Sequence, residues 1–193
     1  MKRVWTSVLA IALGIGFAVR PDAASVKVKI NFDKAFDFKQ ARTWQWNAQG
    51  AGQVILARSQ MDDREAVRLR AEPVIKDVAG AELQRRGLTA ATGAPDLSLT
   101  YYLIMTVGTS AHSAGQFLPS VPMWGLPPFS PSTTALEAVE RGTLVLDFSA
   151  GDRVVWRGLG EAGFSMDLDA KKREALLRDA IKKLLEKFPP KQK

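Results

Sequence analysis

The sequence predicts an α+β two-layer sandwich, with two helices on one face of a mainly antiparallel sheet. Three observations carry this reading. Residues 140–160 form two β-branched and aromatic runs folded on a tight turn. Apolar residues recur at helical spacing in two separated stretches, near 62–86 and 169–188. The remaining strand-like segments stand in adjacent groups instead of alternating with helices, which favours helices gathered on one side of a sheet.

The hairpin is the clearest element. Residues 143–148 and the run Val154, Val155, Trp156 suit a pleated surface, and 149–153 supplies small and polar turn residues, with Gly151 free to take positive φ. Leu144 and Leu146 fall on one face, and Thr143, Val145 and Asp147 on the other. An isolated hairpin of this size is marginal in water, so it requires further strands or helices behind it.

Taken from the N-terminal side, Val26, Val28 and Ile30 alternate with Lys27, Lys29 and Asn31, the pattern of a half-buried strand. Phe32, Phe36 and Phe38 punctuate a polar connection as core anchors, and Thr43-Trp44-Gln45-Trp46 reads as a second strand expected to pair with the first. Residues 49–52 break the chain, 54–56 add extended structure, and Asp62-Asp63 opens a helix. Val67, Ala71, Val74, Val78 and Ala81 mark its apolar face. Pro73 either kinks this helix or sits in the first turn of a shorter one that starts at Glu72. Gly87 provides its left-handed cap, after Arg85 and Arg86 at the negative dipole end. Residues 95–107 place Leu97, Leu99, Tyr101, Leu103 and Met105 on one parity, a strand with a well-buried face. After the hairpin, Asp167 or Asp169 caps a last helix running to about Phe188, with Leu177, Ile181, Leu184 and Phe188 as its buried stripe.

Several of these stretches together resemble a known family. Residues 141–147 followed by Val155-Trp156-Arg157-Gly158, the segment 33–46 with Asp37-Phe38 and Thr43-Trp44-Gln45-Trp46, residues 81–88 followed by Pro95-Asp96-Leu97, and the closing Phe188-Pro189 are similar to the DUF4136 domain of bacterial envelope proteins. The resemblance covers most of the chain after its leader. It implies a fold and an envelope location, and it offers no catalytic residues. Many members look like lipoproteins, whereas this chain of 193 residues has no cysteine to carry an N-terminal lipid.

The address is legible at the N-terminus. Lys2 and Arg3 precede an almost wholly apolar run, 4–19, and then Arg20-Pro21-Asp22-Ala23-Ala24-Ser25. This is the pattern of a secretory signal peptide over 1–25, cleaved after Ser25 or Ala24, followed by one domain over 26–193. The run falls short of the roughly 20 residues that cross a bilayer comfortably, and no later segment could span one. The expected location is periplasmic or secreted. Without cysteines, stability rests on an ordinary core and not on disulfides.

The net charge of +7 is local. The leader carries +2, and residues 169–193, with nine Lys or Arg against four Asp or Glu, carry the remaining +5. The rest is neutral, which argues against a nucleic-acid surface. Along the last helix, Glu174, Asp179 and Glu186 interleave with the basic residues as ion-pair partners.

Chemistry is sparse. One histidine, no cysteine and scattered carboxylates do not make a transition-metal site, and no cofactor is implied. His112, flanked by Ser110 and Ser113 and downstream of Asp96, contains the residue types of a hydrolytic triad without a nucleophile elbow, so a Ser/His-dependent hydrolase is the alternative reading. The leading reading is a non-enzymatic binding or accessory module of the cell envelope. Residues 108–134 are rich in Ser, Gly and Pro yet oily; their apolar side chains either cover the sheet edge or form a contact surface, in which case Phe117, Met123, Trp124 and Phe129 are the expected contacts to an envelope protein, a lipid or a small apolar ligand.

Overall fold

The structure, a computed structural model, describes residues 25–57, 63–108, 139–164 and 168–191. The hairpin forms as its composition requires. Strands β6 (Val139–Ala150) and β7 (Arg153–Phe164) are antiparallel and joined through Gly151, which has φ 57°. Strand β5 (Leu97–Gly108) pairs antiparallel with β6 along almost its whole length, and β1 (Lys27–Phe32) pairs antiparallel with the far edge of β7.

The other edge of β5 is shared. Strand β2 (Thr43–Trp46) lies parallel to its first residues, Leu97 to Leu99, and β3 (Gly52–Ala57) lies parallel to Tyr101 to Thr106. Strand β4 (Thr89–Ala90) adds a short parallel pair outside β2. The open sheet has the order β1-β7-β6-β5-β2-β4, with β3 on β5, and its long pairings are antiparallel. The expected β1–β2 pair does not form. The connection between them crosses the end of the sheet, with Phe38 buried, the Asp33 N–H donating to Val155 O at 2.8 Å and Ala35 N–H donating to Asp33 Oδ1. Parallel strands need a crossover. Helix α1 (Arg64–Arg85), between β3 and β5, provides it.

Asp63 caps α1 by accepting from Glu65 N and Ala66 N at 2.9 and 3.2 Å. The helix runs through Pro73. Leu69 and Pro73 are both exposed, so the carbonyl that loses its donor lies on the solvent side. At the C-terminus, Gly87 N–H donates to Gln84 O and Leu88 N–H to Leu83 O, with Gly87 at φ 81°, which is a Schellman cap. The apolar stripe departs from expectation at one place: Ala81 is exposed, and Glu82 is buried instead, its carboxylate held by Arg85 and Arg86 at 2.5 and 2.6 Å. Helix α2 (Ala170–Leu185) is capped by Asp169, which accepts from Lys172 N at 2.8 Å, and it stops short of Phe188. Ile75, Leu83, Ile181 and Leu184 are fully buried between the helices and the sheet, each contributing roughly 1.5–3 kcal/mol.

Both helices lie on the face presented by Leu97, Leu99, Leu144, Leu146 and Trp156. The opposite face has its own buried cluster, Ile104, Val145 and Leu159, with Ile55 and Tyr102 beside it. On that face Asp147 stands directly across from Arg157 in the register, and the two side chains form a buried bidentate pair, with Arg157 Nε donating to Asp147 Oδ1 at 2.6 Å and Nη2 to Oδ2. Burial pushes the Asp147 carboxyl up, and Arg157 opposes that shift.

Two outcomes follow for stability. Asp147→Ala strands a buried guanidinium and should cost about 3–5 kcal/mol in denaturant unfolding, whereas the double replacement Asp147→Val with Arg157→Met should restore most of it. If the single and double variants are equally unstable, the pair is not the source of the loss. The second outcome concerns acid. Asp96 Oδ2 accepts from Arg42 N, Thr43 N and Thr43 Oγ1 at 2.9, 2.8 and 2.8 Å, fastening the start of β2 to the start of β5. The Arg42 N–H, then the Thr43 hydroxyl and N–H, hold this carboxyl below its ordinary range. A folded pKa lower than the unfolded one means stability that is present above about pH 4 and lost as pH falls through the folded value. The gap in unfolding midpoint between wild type and Asp96→Ala should therefore narrow in acid, and a gap that stays constant to pH about 2 refutes the linkage.

Candidate functional site

At one end of the fold the two helices are tied down. Arg86 Nη1 donates to Glu82 Oε2 at 2.6 Å while its Nε donates to Phe188 O at 3.1 Å, linking the end of α1 to the chain just after α2. Phe188 stacks on Phe148 with ring centroids 4.1 Å apart and meets Trp156 and Phe38 edge-on. Nearer the middle, Arg178 reaches Asp77 at 3.5 Å.

Between the N-terminal halves of the same helices lies a cleft of about 590 Å³. Its floor is sheet: Leu103 and Met105 from β5, Gly142 and Leu144 from β6, Gly160 and Ala162 from β7. Val67, Ala71 and Val74 form the α1 wall. Leu168, Leu176, Leu177 and Ala180 form the other. The cause is the size of the floor residues. Gly160 lets α2 approach so closely that a Cβ there would stand 3.3 Å from Ala180 Cβ, and farther along the strand Gly142 and Ala162 put almost no side chain into the space. Val67, Val74, Leu176 and Leu177 are only half-buried: they pack against the core and also line the cleft, so the apolar faces of both helices continue into it. Its volume falls within the range of about 300–1,000 Å³ common for small-molecule sites.

Among the described residues, Arg70, Arg173 and Glu174 are the charged side chains lining it. Arg70 Nε donates to Ala66 O at 3.1 Å and Arg173 Nε to Leu168 O at 2.7 Å. The Glu174 carboxylate is engaged by Arg178 Nε at 2.8 Å. No group of three potential metal ligands occurs among the described residues, and no described helix is long and apolar enough to cross a membrane.

The residues singled out in the sequence fare differently. Phe117, Met123, Trp124 and Phe129 lie outside the described residues, as do Ser110, His112 and Ser113 and most of the leader. Asp96 is accounted for. It caps the start of β5, whereas the 109–138 segment leaves from the other end of that strand, a separation of roughly 35–40 Å at about 3.3 Å per residue. Along α2 Glu174 pairs with Arg178 and Asp179 with Lys183, and the cap Asp169 pairs with Lys172, whereas Glu186 forms no ion pair among the described residues. The cleft itself was missed in the sequence. Its signal was the small-residue parity of Gly158, Gly160 and Ala162 on β7, set against helices carrying more apolar residues than one stripe uses.

This geometry defines a class: a two-layer α+β domain with an apolar cleft between paired helices and sheet. The chain belongs to the DUF4136 family, a domain of unknown function, whose profile matches residues 28–190. A PDZ domain protein from Parabacteroides distasonis has a similar fold, with a TM-score of 0.53 at 16% identity. That match covers 88% of this chain and 36% of the other, so the chain spans about a third of that protein's length. The PelC dodecamer from Paraburkholderia phytofirmans matches at a TM-score of 0.39 and 11% identity over 83% of this chain and 95% of that one. Its L103M form gives 0.36 and 11%, over 83% and 98%. No curated protein matches this sequence.

Proposed function

We propose that this protein is an exported, non-enzymatic binding module of the cell envelope that takes an apolar ligand into the cleft between α1 and α2. The observation that carries the reading is the cleft. Beside a core in which Ile75, Leu83, Ile181 and Leu184 are fully buried, the described residues leave a cleft of about 590 Å³ between half-buried Val67, Val74, Leu176 and Leu177. Close-packed interiors do not ordinarily leave such volume, because unfilled space forfeits dispersion contacts. Export is supported by the charged start, apolar run and small-residue end of the leader, and the envelope assignment by the family resemblance.

The ends of β5 and β6 that flank residues 109–138 stand beside the cleft. Met105 and Gly142 line its floor and are paired in register, only three residues from Gly108 and Val139.

Two measurements check this reading. Purified protein should bind the neutral fluorophore N-phenyl-1-naphthylamine saturably, and Ala162→Trp, which fills the floor, should weaken binding by about tenfold or more, equivalent to ~1.4 kcal/mol. Met105→Trp blocks the same space from β5 and guards against a folding defect in the first variant. Absence of saturable binding by wild type, or full binding by both well-folded variants, refutes the cleft as the site. For export, protein recovered from an envelope fraction should have the intact mass of a chain beginning at Ser25 or Val26. Recovery of unprocessed chain from the cytosol alone would overturn it.

A further inference from the structure

We infer that α1 is hinged at Pro73, so that residues 64–72 form a movable wall of the cleft and swing outward to admit its ligand while the rest of the helix stays fixed. The inference rests on the binding reading above and supplies its route of entry. Proline removes one helical hydrogen bond and crowds the carbonyl four residues earlier, and sharp bends in helices concentrate at such positions. Here Pro73 has no N–H for Leu69 O, near the middle of a helix of 22 residues.

The two sides of Pro73 are held differently. Beyond it, Ile75, Val78, Ala79, Glu82 and Leu83 are buried; before it, Ala71 is the one buried residue of the helix. The far side is also tied to other elements, Asp77 to Arg178 of α2 at 3.5 Å and Arg86, just past the helix, to Phe188 O at 3.1 Å. The ion pairs of the near side stay on the helix. Arg68 meets Glu65 and Glu72 at 2.6 and 2.7 Å, Glu72 meets Lys76 across the proline at 2.5 Å, and Arg70 Nε donates to Ala66 O. Glu72 does border the buried Tyr101 phenol, but it stands next to Pro73, where rotation about the joint moves it least. A segment with few buried contacts opens at lower cost than the core it adjoins.

The same joint divides the cleft. Val67, Arg70 and Ala71 of its α1 wall precede Pro73, and Val74 follows directly. The α2 wall lacks this freedom: α2 contains no proline, and a Cβ on Gly160 would already meet Ala180 and Leu184 at 3.3 Å. A swing of residues 64–72 therefore widens the cleft while Ile75, Leu83, Ile181 and Leu184 keep their packing. Hinges of this kind confine a backbone change to a few residues and gate access to a site.

Hydrogen exchange on purified, ligand-free protein tests the hinge. Protection should step at the proline, with amides of 68–72 exchanging at least about a hundredfold faster than those of 77–83 after correction for intrinsic rates. Saturating N-phenyl-1-naphthylamine should slow the first group and leave the second unchanged. Pro73→Ala restores a donor to Leu69 O at an exposed position. It should raise the unfolding temperature, slow exchange at 68–72 about tenfold and slow association of the fluorophore in stopped flow by a similar factor. Gln84→Ala, exposed on the anchored side, should leave exchange and association as in wild type.

Protection that falls smoothly toward Arg64 without a step reports ordinary end fraying and overturns the hinge. So does a Pro73→Ala variant with unchanged exchange and association; in either case the cleft remains a binding site. If the fluorophore does not bind wild type, the cleft reading and the entry route fall together, whatever the exchange shows.

Discussion

The packing of Trp156 over Gly158 against α2 is the constraint on which the rest of the structure depends. A Cβ at position 158 would stand 2.4 Å from the Trp156 ring and 2.8 Å from a Leu184 methyl, distances no side chain tolerates. Glycine there lets the indole lie flat along its own strand and lets α2 settle onto the sheet. Once settled, α2 delivers Phe188 to the stack on Phe148, and the same ring closes against Phe38 from the β1–β2 connection. Arg86 then joins the end of α1 to the Phe188 carbonyl. Four distant parts of the sequence thereby converge on one end of the sheet.

Holding the helices at that end has a consequence at the other. The shared floor of β5, β6 and β7 continues under both helices, but toward their N-termini its residues become small and the helical apolar faces line a cleft. Rigid closure at one end and unfilled volume at the other are thus two results of one pattern along β7, with the bulky Trp156 followed on the same parity by Gly158, Gly160 and Ala162. The family's recognisable stretches mostly serve the closed end. Phe38, Arg86, Trp156, Gly158 and Phe188 all act there, whereas Asp96 and Thr43 clamp β2 to β5.

The reverse face of the sheet works by a different principle. A cross-strand Asp147–Arg157 pair sits beside Ile104, Val145 and Leu159, where each charge depends on the other for its hydrogen bonds. Such a pair adds little net stability relative to apolar residues, but a slipped register of β6 on β7 would leave two buried charges unpaired. Its contribution is to make one alignment of the hairpin much better than its neighbours.

Local pattern determined much of this protein. The hairpin with its positive-φ Gly151, the Asp63 and Asp169 caps, the Gly87 termination, the strand parity of Leu97 to Met105 and the α+β class are all decided by period-two or period-3.6 burial and by turn chemistry, which act over a few residues. What the sequence did not disclose depends on contacts between distant segments. The partners of β1 and β2 were set by where a Phe-rich connection crosses the sheet and by a helical crossover, not by their adjacency in the chain. Glu82 is buried in place of Ala81 because Arg85 and Arg86 satisfy its carboxylate there. The cleft is a difference between three surfaces, two helical faces and a glycine-bearing floor, and an unfilled volume has no residue of its own to announce it. Only the tertiary structure, by fixing how closely those surfaces meet at one end, decided that they stay apart at the other.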